Sequence, residues 1–424
     1  MRSWPTPSVP SLPALPESLE LYDTSRAGLI PVQSRESTAS LYVCGITPYD
    51  ATHLGHANTY VHFDVLVRYW LACGLNVNYV QNVTDIDDPL LERAAATGVD
   101  WRDLAEQQTD LFREDMTALR VVPPTTYLGA VETIPDVVQD VERLAAAGIA
   151  YEVAVPEGEG ATTSDYYFDI SAAEAATPWR LGSVGGYDRP AMEQIFPERG
   201  GDPERPGKRD PLDPLLWRAA REGEPQWDGG SLGAGRPGWH IECSVIARRH
   251  LPAPFTVQGG GSDLRFPHHE FSAAHATAAD GTPLAETYVH TGMVGLDGEK
   301  MSKSKGNLIL ISRLREEGVD PQAIRTLLLG HHWREDWSYT AEELAAAESR
   351  LARWKDAAAQ AHEGSAAEGP SELQYALMSA LGNNLNAPAA LDTLDLWAAG
   401  HMAAGTSRSE AVDVVDALLG IDLR

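Results

Sequence analysis

A short apolar run ending in glycine, Leu41-Tyr-Val-Cys-Gly45, constrains this chain more than any other feature, because such a strand is buried on both faces of a parallel sheet. A polar loop follows it. From Asn58 to Cys73 the apolar residues Val61, Phe63, Leu66, Val67, Trp70 and Leu71 return at helical intervals, and Gly74 supplies a stop. Residues 75–83 read as a second strand. Strand, loop, helix and strand make a βαβ unit, so the fold is expected to be α/β, with its ligand at the carboxyl end of the first strand.

Further along, Asp100 is placed to cap a helix running to about Arg120, and residues 132–147 read as the next helix. Residues 151–217 break into glycine, proline and charge, including Glu198-Arg-Gly-Gly-Asp-Pro203, and are expected to be an inserted segment, partly loop. Alternation then resumes, with a helix near 240–250, a strand at 255–258, a helix from Glu270 and a strand around 288–294. After Asn307 the pattern is helical and rich in alanine and leucine. The expected division is an extension over 1–38, an α/β domain over 39–310 and a helical bundle domain over 311–424.

With 424 residues the chain is long enough for such an arrangement. Three cysteines, Cys44, Cys73 and Cys243, are too few for a disulfide scaffold and suit a reducing compartment. The proline-rich start has no unbroken apolar stretch, and nowhere do roughly 18 uncharged apolar residues run together as a membrane span needs, so a cytoplasmic protein is expected. Its 33 basic and 61 acidic residues give a net charge of −28, which opposes attraction to nucleic acid or anionic membranes.

Three groups of residues carry chemistry. Thr52-His53-Leu54-Gly55-His56 stands directly after the first strand, where two imidazoles and the free N–H groups of a helix start can hold phosphate oxygens. Read alone, the string is equally two polar loop histidines. Lys300-Met301-Ser302-Lys303-Ser304 follows a glycine-bounded turn, and its lysines suit a loop that neutralises charge on phosphates; alone it is also a solvated basic loop. Finally, Cys44, Cys243 and His268 stand at the ends of core strands or on the helices after them. Two thiolates and an imidazole are favourable zinc ligands, and three protein ligands leave an open position that suits a thiol. Buried free cysteine without metal is the competing explanation, and it fits Cys73 well.

With these residues in place, HLGH and KMSKS resemble the two signature motifs of class I aminoacyl-tRNA synthetases. More narrowly, CGITPYDATHLGHA, NVTDIDD, GAGRPGWHIECS, GGGSDLRFPHHE and GEKMSKSKGN are similar to cysteinyl-tRNA synthetase motifs, in order, from about residue 40 to residue 340. The resemblance implies a Rossmann-type catalytic core, ATP with Mg2+ as co-substrate, and one zinc ion per chain on the sulfur of the substrate L-cysteine. It assigns charge stabilisation to His53, His56, Lys300 and Lys303. Thr47, Thr84 and Trp239 are implied to shape the pocket for the amino acid, with Gly45, Ile46, Thr59, Asn82 and Val83 beside them. Gly261, Ser262 and Asp263 are implied to hold the ribose, and the backbone near Val294 the adenine.

Departures from the synthetase pattern point to a related family, the mycothiol-biosynthesis ligases that join cysteine to the amine of glucosaminyl-inositol. Pro48 and Asn58 replace the usual valine and arginine. Ser272 stands where the synthetase supplies a fourth, glutamate ligand. About 120 residues follow the KMSKS string, too few for a separate anticodon-reading domain. The ERGGDP segment resembles a hallmark of the ligase family, and acceptor recognition is expected near it. Asp263, Glu270 or a water molecule could take the proton of the acceptor amine. Two alternatives stand beside this one: a cysteinyl-tRNA synthetase with a shortened C-terminus, and a non-catalytic paralogue, which should have lost a motif that here is intact. A monomer without nucleic-acid partner is expected.

Overall fold

The computed structural model describes residues 1–156, 163–296, 298–301, 306–361, 369–402 and 407–424, and of Glu299 and Lys300 the backbone alone. An antiparallel hairpin comes first, β1 (Leu19–Asp23) and β2 (Gly28–Val32). Then β3 (Thr38–Val43) begins a parallel sheet completed by β4 (Asn76–Val83), β5 (Thr126–Gly129), β10 (Phe255–Gly261) and β11 (Ala285–Thr291), in the order β11-β10-β3-β4-β5. Strand order therefore reverses at β3. In such sheets the crevice beyond the carboxyl end of the reversing strand is where a ligand sits.

The helix after β3, α1 (Leu54–Ala72), starts four residues ahead of the apolar periodicity, because the HLGH string is itself its first turn. His53 caps it, with Nδ1 accepting from the Gly55 N–H at 3.0 Å. Its sides are buried almost all round, as a helix running through the middle of a fold must be. Next come α2 (Asp88–Thr97) and α3 (Trp101–Ala118), the latter capped by Asp100 through the Arg102 N–H at 2.9 Å, as its sequence position predicts.

After α4 (Ile134–Ala146), the glycine- and proline-rich stretch is more regular than its composition suggests. An antiparallel sheet of β6 (Ala150–Val153), β7 (Asp165–Phe168), β8 (Leu215–Ala219) and β9 (Gly235–Pro237) carries α5 (Ile170–Ala176) and α6 (Arg189–Glu198) between its strands. Strands of three to five residues separated by long turns leave little periodicity to read. The chain returns to the parallel sheet through α7 (Trp239–His250), β10 and α8 (Glu270–Asp280).

The strand expected around 288–294 is two strands. β11 ends at Thr291 and β12 (Val294–Leu296) starts afresh, because Gly292 lies so close to the next segment that a Cβ there would sit 2.1 Å from the Glu335 carbonyl oxygen. β12 pairs with β13 (Glu299–Lys300) and, after α9 (Ile311–Glu316) and α10 (Pro321–Leu329), with β14 (Trp337–Tyr339). That last strand is the exception in an otherwise helical C-terminal part of α11 (Ala341–Gln360), α12 (Glu372–Gly382), α13 (Ala387–Ala398) and α14 (Arg408–Leu419).

One apolar cluster runs from Trp4 to Leu423 and joins the hairpin, α1 and the C-terminal helices. Inside it lies a charged node. Asp64 on α1 pairs with Arg68 at 2.7 Å and with Arg325 on α10, all three fully buried, and Arg68 donates to the Asp416 and Arg120 carbonyl oxygens at 2.7 and 2.6 Å. Although burial opposes it, Arg68 and Arg325 hold the Asp64 carboxyl below its ordinary range.

Candidate active site

Cys44 follows β3, Cys243 is on α7 one turn from its start, and His268 lies in a kinked π-type turn, Arg265–His269, between β10 and α8. All three are buried, and their ligand atoms lie within 4.8 Å of one another. The two sulfurs are 3.9 Å apart. Tetrahedral zinc with Zn–S bonds of about 2.3 Å sets its sulfurs roughly 3.8 Å apart, so the donor set fits that ion. Burial pushes the Cys44 thiol up, as does neighbouring Cys243; the Cys243 thiol lies below its usual range, because its bonds with Cys44 and His268 outweigh burial.

Supporting groups surround this set. Trp239 stacks on His268 with ring centroids 4.4 Å apart, and His240 Nδ1 lies 3.1 Å from His268 Nδ1. Cys44 Sγ takes contacts from Gln258 Nε2 at 3.7 Å and His269 Nε2 at 3.2 Å. The Ser272 hydroxyl is committed elsewhere, 2.7 Å from the His268 carbonyl oxygen and 3.0 Å from that of His240. Among the described residues the set therefore has three members.

The HLGH string opens α1, the helix that follows β3 and Cys44. His53 and His56 stack with centroids 3.9 Å apart, and the His56 Nδ1 is buried without a partner. Burial, with His53 second, keeps His56 well below the ordinary imidazole range, so it is neutral at pH 7. Gly45 lets the chain pass β4 closely: a Cβ there would lie 1.6 Å from the Asn82 carbonyl oxygen, and the Gly45 N–H donates to Asn82 Oδ1 at 2.8 Å. Asn82 Nδ2 in turn donates to Thr84 Oγ1 at 3.1 Å, while the Thr84 N–H reaches the Ile46 carbonyl oxygen and Val83 accepts from the Ala130 N–H. Thr47 is half-buried and its carbonyl oxygen accepts from the Tyr49 N–H. Thr59 meets Thr291 hydroxyl to hydroxyl at 2.8 Å, which ties α1 to the end of β11.

Gly261 closes β10, and Ser262 with Asp263 opens a single 3-10 turn there. Val294 is buried at the start of β12, across from Trp337. Lys300 lies on β13 opposite Gly295, and Lys303 falls outside the described residues.

Several neighbours complete the surroundings of the set. Asp85, Asp87 and Glu242 stand near one another; burial lifts Asp85 and Asp87 to about 6 and Glu242 well above its ordinary range. Glu270 is raised to about 7 by burial, although it accepts from Trp179 Nε1 at 3.0 Å and from the Val184 and Gly185 N–H groups at 3.0 and 2.7 Å. From the ERGGDP segment, Arg199 donates to the carbonyl oxygens of Asp263 and Phe266, while Asp202 is taken up by Lys208 and Tyr167. His290 lies behind His269, 2.8 Å away, and burial holds it at about 3. The strings NVTDIDD, GAGRPGWHIECS, GGGSDLRFPHHE and ERGGDP contain all of these neighbours but His290, and of them only Glu270 is given a role by the sequence.

The family model for the catalytic domain of class I (C) tRNA synthetases matches residues 31–349. Proteins named L-cysteine:1D-myo-inositol 2-amino-2-deoxy-alpha-D-glucopyranoside ligase from Micrococcus luteus, Paenarthrobacter aurescens and Streptomyces coelicolor are 62%, 56% and 55% identical to this chain, each over 100% of both sequences. Among solved structures, Mycobacterium tuberculosis methionyl-tRNA synthetase bound by methionyl-adenylate superposes with a TM-score of 0.61 at 16% identity, over 90% of this chain and 92% of that one. A leucyl-tRNA synthetase in a ternary complex from Agrobacterium radiobacter gives 0.60 at 14% identity, over 92% and 84%. The two structural likenesses speak to the fold.

Proposed function

The chain belongs to the family of L-cysteine:1D-myo-inositol 2-amino-2-deoxy-alpha-D-glucopyranoside ligases, on the class I (C) tRNA synthetase catalytic domain, and from that premise we propose that it joins L-cysteine to the amine of glucosaminyl-inositol at the expense of ATP. Zinc on Cys44, Cys243 and His268 would supply a soft Lewis acid for the substrate sulfur, which a serine hydroxyl, hard and of high pKa, serves poorly. The observation that carries this reading is the buried three-donor set at the switch point of the sheet, with Ser272 turned to backbone carbonyls.

Trp239 stacks on His268 and so walls the amino-acid side of the crevice, while Thr47, Thr84 and the Asn82-braced Gly45 turn shape the space for the amino and carboxylate groups. One carboxylate oxygen attacks the α-phosphorus of ATP as the bond to pyrophosphate breaks, and pyrophosphate leaves with its magnesium ion. His53 and His56 face that phosphate at the positive end of α1, His56 as a neutral donor. Lys300 and Lys303 carry the charge that offsets the transition state, and Gly261, Ser262 and Asp263 hold the ribose with Val294 at the adenine. Most of the rate then comes from positioning and from fixed charge.

In the second step the neutral amine attacks the carbonyl carbon, the bond to AMP breaks, and the amine loses a proton. Both oxygens of Glu270 are taken by Trp179 and backbone amides, which leaves Asp263 or water to receive it. Exchange of labelled pyrophosphate into ATP tests the first step. Cysteine should support it and serine should not; equal exchange with serine contradicts selection through the sulfur.

A further inference from the structure

The sulfur of Cys44 is the end of a buried chain of hydrogen bonds that starts outside the segment matched by the synthetase family. Thr24 Oγ1 lies 2.7 Å from His290 Nδ1, His290 Nε2 lies 2.8 Å from His269 Nδ1, and His269 Nε2 lies 3.2 Å from Cys44 Sγ. Thr24, His290, His269 and Cys44 are all buried. Each ring nitrogen in the chain has its partner, and a neutral imidazole carries one N–H and one bare nitrogen. A thiolate at Cys44 only accepts, so His269 must present Nε2–H to it and leave Nδ1 bare. His290 must then give Nε2–H to that nitrogen and leave its own Nδ1 bare, and among the described residues the donor left for that atom is the Thr24 hydroxyl. One direction of donation satisfies every link.

The far end is held by backbone. Thr24 follows β1, its N–H donates to the Tyr288 carbonyl oxygen at 2.9 Å, and the Tyr288 N–H donates to Asp23 Oδ1 at 3.1 Å. The N-terminal hairpin is thereby pinned to β11, the strand that carries His290.

We propose that Thr24 and His290 are positioning residues for the metal site: through the tautomer they impose on His269, they fix an N–H on the Cys44 sulfur and set how strongly that sulfur donates to zinc. This rests on the zinc site proposed above. A donor on the thiolate withdraws electron density from the metal–sulfur bond, leaves the metal a stronger Lewis acid, and so favours the incoming substrate thiolate. Without the Thr24 hydroxyl the chain has no fixed direction, and His269 is free to turn a bare nitrogen to the sulfur.

Cobalt(II) bound to the full chain tests this, because its sulfur-to-metal charge-transfer band reports the electron density on the thiolates. Thr24→Val keeps the shape of the side chain and removes the donor; it should move the band to lower energy and raise KM for cysteine in pyrophosphate exchange about tenfold, with KM for ATP unchanged. Thr24→Ser should restore both. His290→Phe, which fills the same space without an N–H, must move the band in the same direction. An unmoved band in Thr24→Val and His290→Phe overturns the chain while leaving the metal site standing, as does a Thr24→Ser protein that behaves like the valine variant. Wild-type protein that binds no cobalt, or binds it equally after Cys243→Ala, overturns the metal site and the chain together.

Discussion

At the scale of single residues, Cys44, Cys243 and His268 could be singled out from the sequence and lie together in the fold, because soft ligands are rare in a sequence with three cysteines. Cys243→Ala and His268→Ala proteins should each lose stoichiometric zinc on metal analysis, and retention in both contradicts the assignment. Gly45 is a sharper case. Its lack of a side chain reads as the end of a strand, but only the fold reveals that Asn82 occupies the space a Cβ would need. Gly45→Ala should therefore lower pyrophosphate exchange at least a hundredfold, while Gly28→Ala, whose Cβ would meet only the Arg26 carbonyl oxygen at 3.8 Å, should leave exchange unchanged. Raised acids such as Asp85 were beyond reach of the sequence, since burial, with the Glu132 charge adding to it, lifts this carboxyl from an ordinary 3.8 to about 6. Between those values the folded chain holds the proton and the unfolded chain has released it, so stability falls as pH rises from about 4 to about 6. Asp85→Asn removes that dependence and should raise the melting temperature at pH 7.5 but not at pH 4, a difference on the order of 2 kcal/mol; equal shifts at both pH values contradict it.

At the scale of elements, periodicity located β3, α1, β4, α3 and α7 because each buries a continuous face. It passed over β1, β2 and β5, four or five residues long, and the strands of the antiparallel sheet, whose order depends on partners far away in the chain. Nor did it reveal why α1 carries an aspartate and an arginine on buried positions. Asp64 holds two guanidinium groups from α1 and α10, and Arg68 continues the link to α14. Removing one partner of a buried ion pair leaves charge without compensation, so Asp64→Ala should cost about 3–5 kcal/mol in denaturant unfolding. A loss below about 1 kcal/mol would mean that packing alone holds these helices together.

At the scale of the whole molecule, the helical C-terminal part shares one apolar core with the hairpin and with α1, and none of the described helices is long and apolar enough to cross a membrane. A shared core predicts that residues 311–424 unfold together with the parallel sheet, as one transition in calorimetry. The sequence divides off residues 311–424 as a bundle domain, because helices that pack back on a distant segment have the same periodicity as helices that form a body of their own. The proposed active site then sits between a sheet that supplies Cys44 and Gly261, the HLGH turn that follows it, and a connection that supplies Cys243 and His268. That arrangement activates an amino acid; the acceptor is what separates a ligase from a synthetase. The direct measurement is product analysis after incubation with cysteine and ATP, in parallel with glucosaminyl-inositol and with tRNA. Amide formation on the amino sugar with release of AMP and pyrophosphate, and no charging of the tRNA, is the predicted result; cysteinyl-tRNA without amide would contradict it.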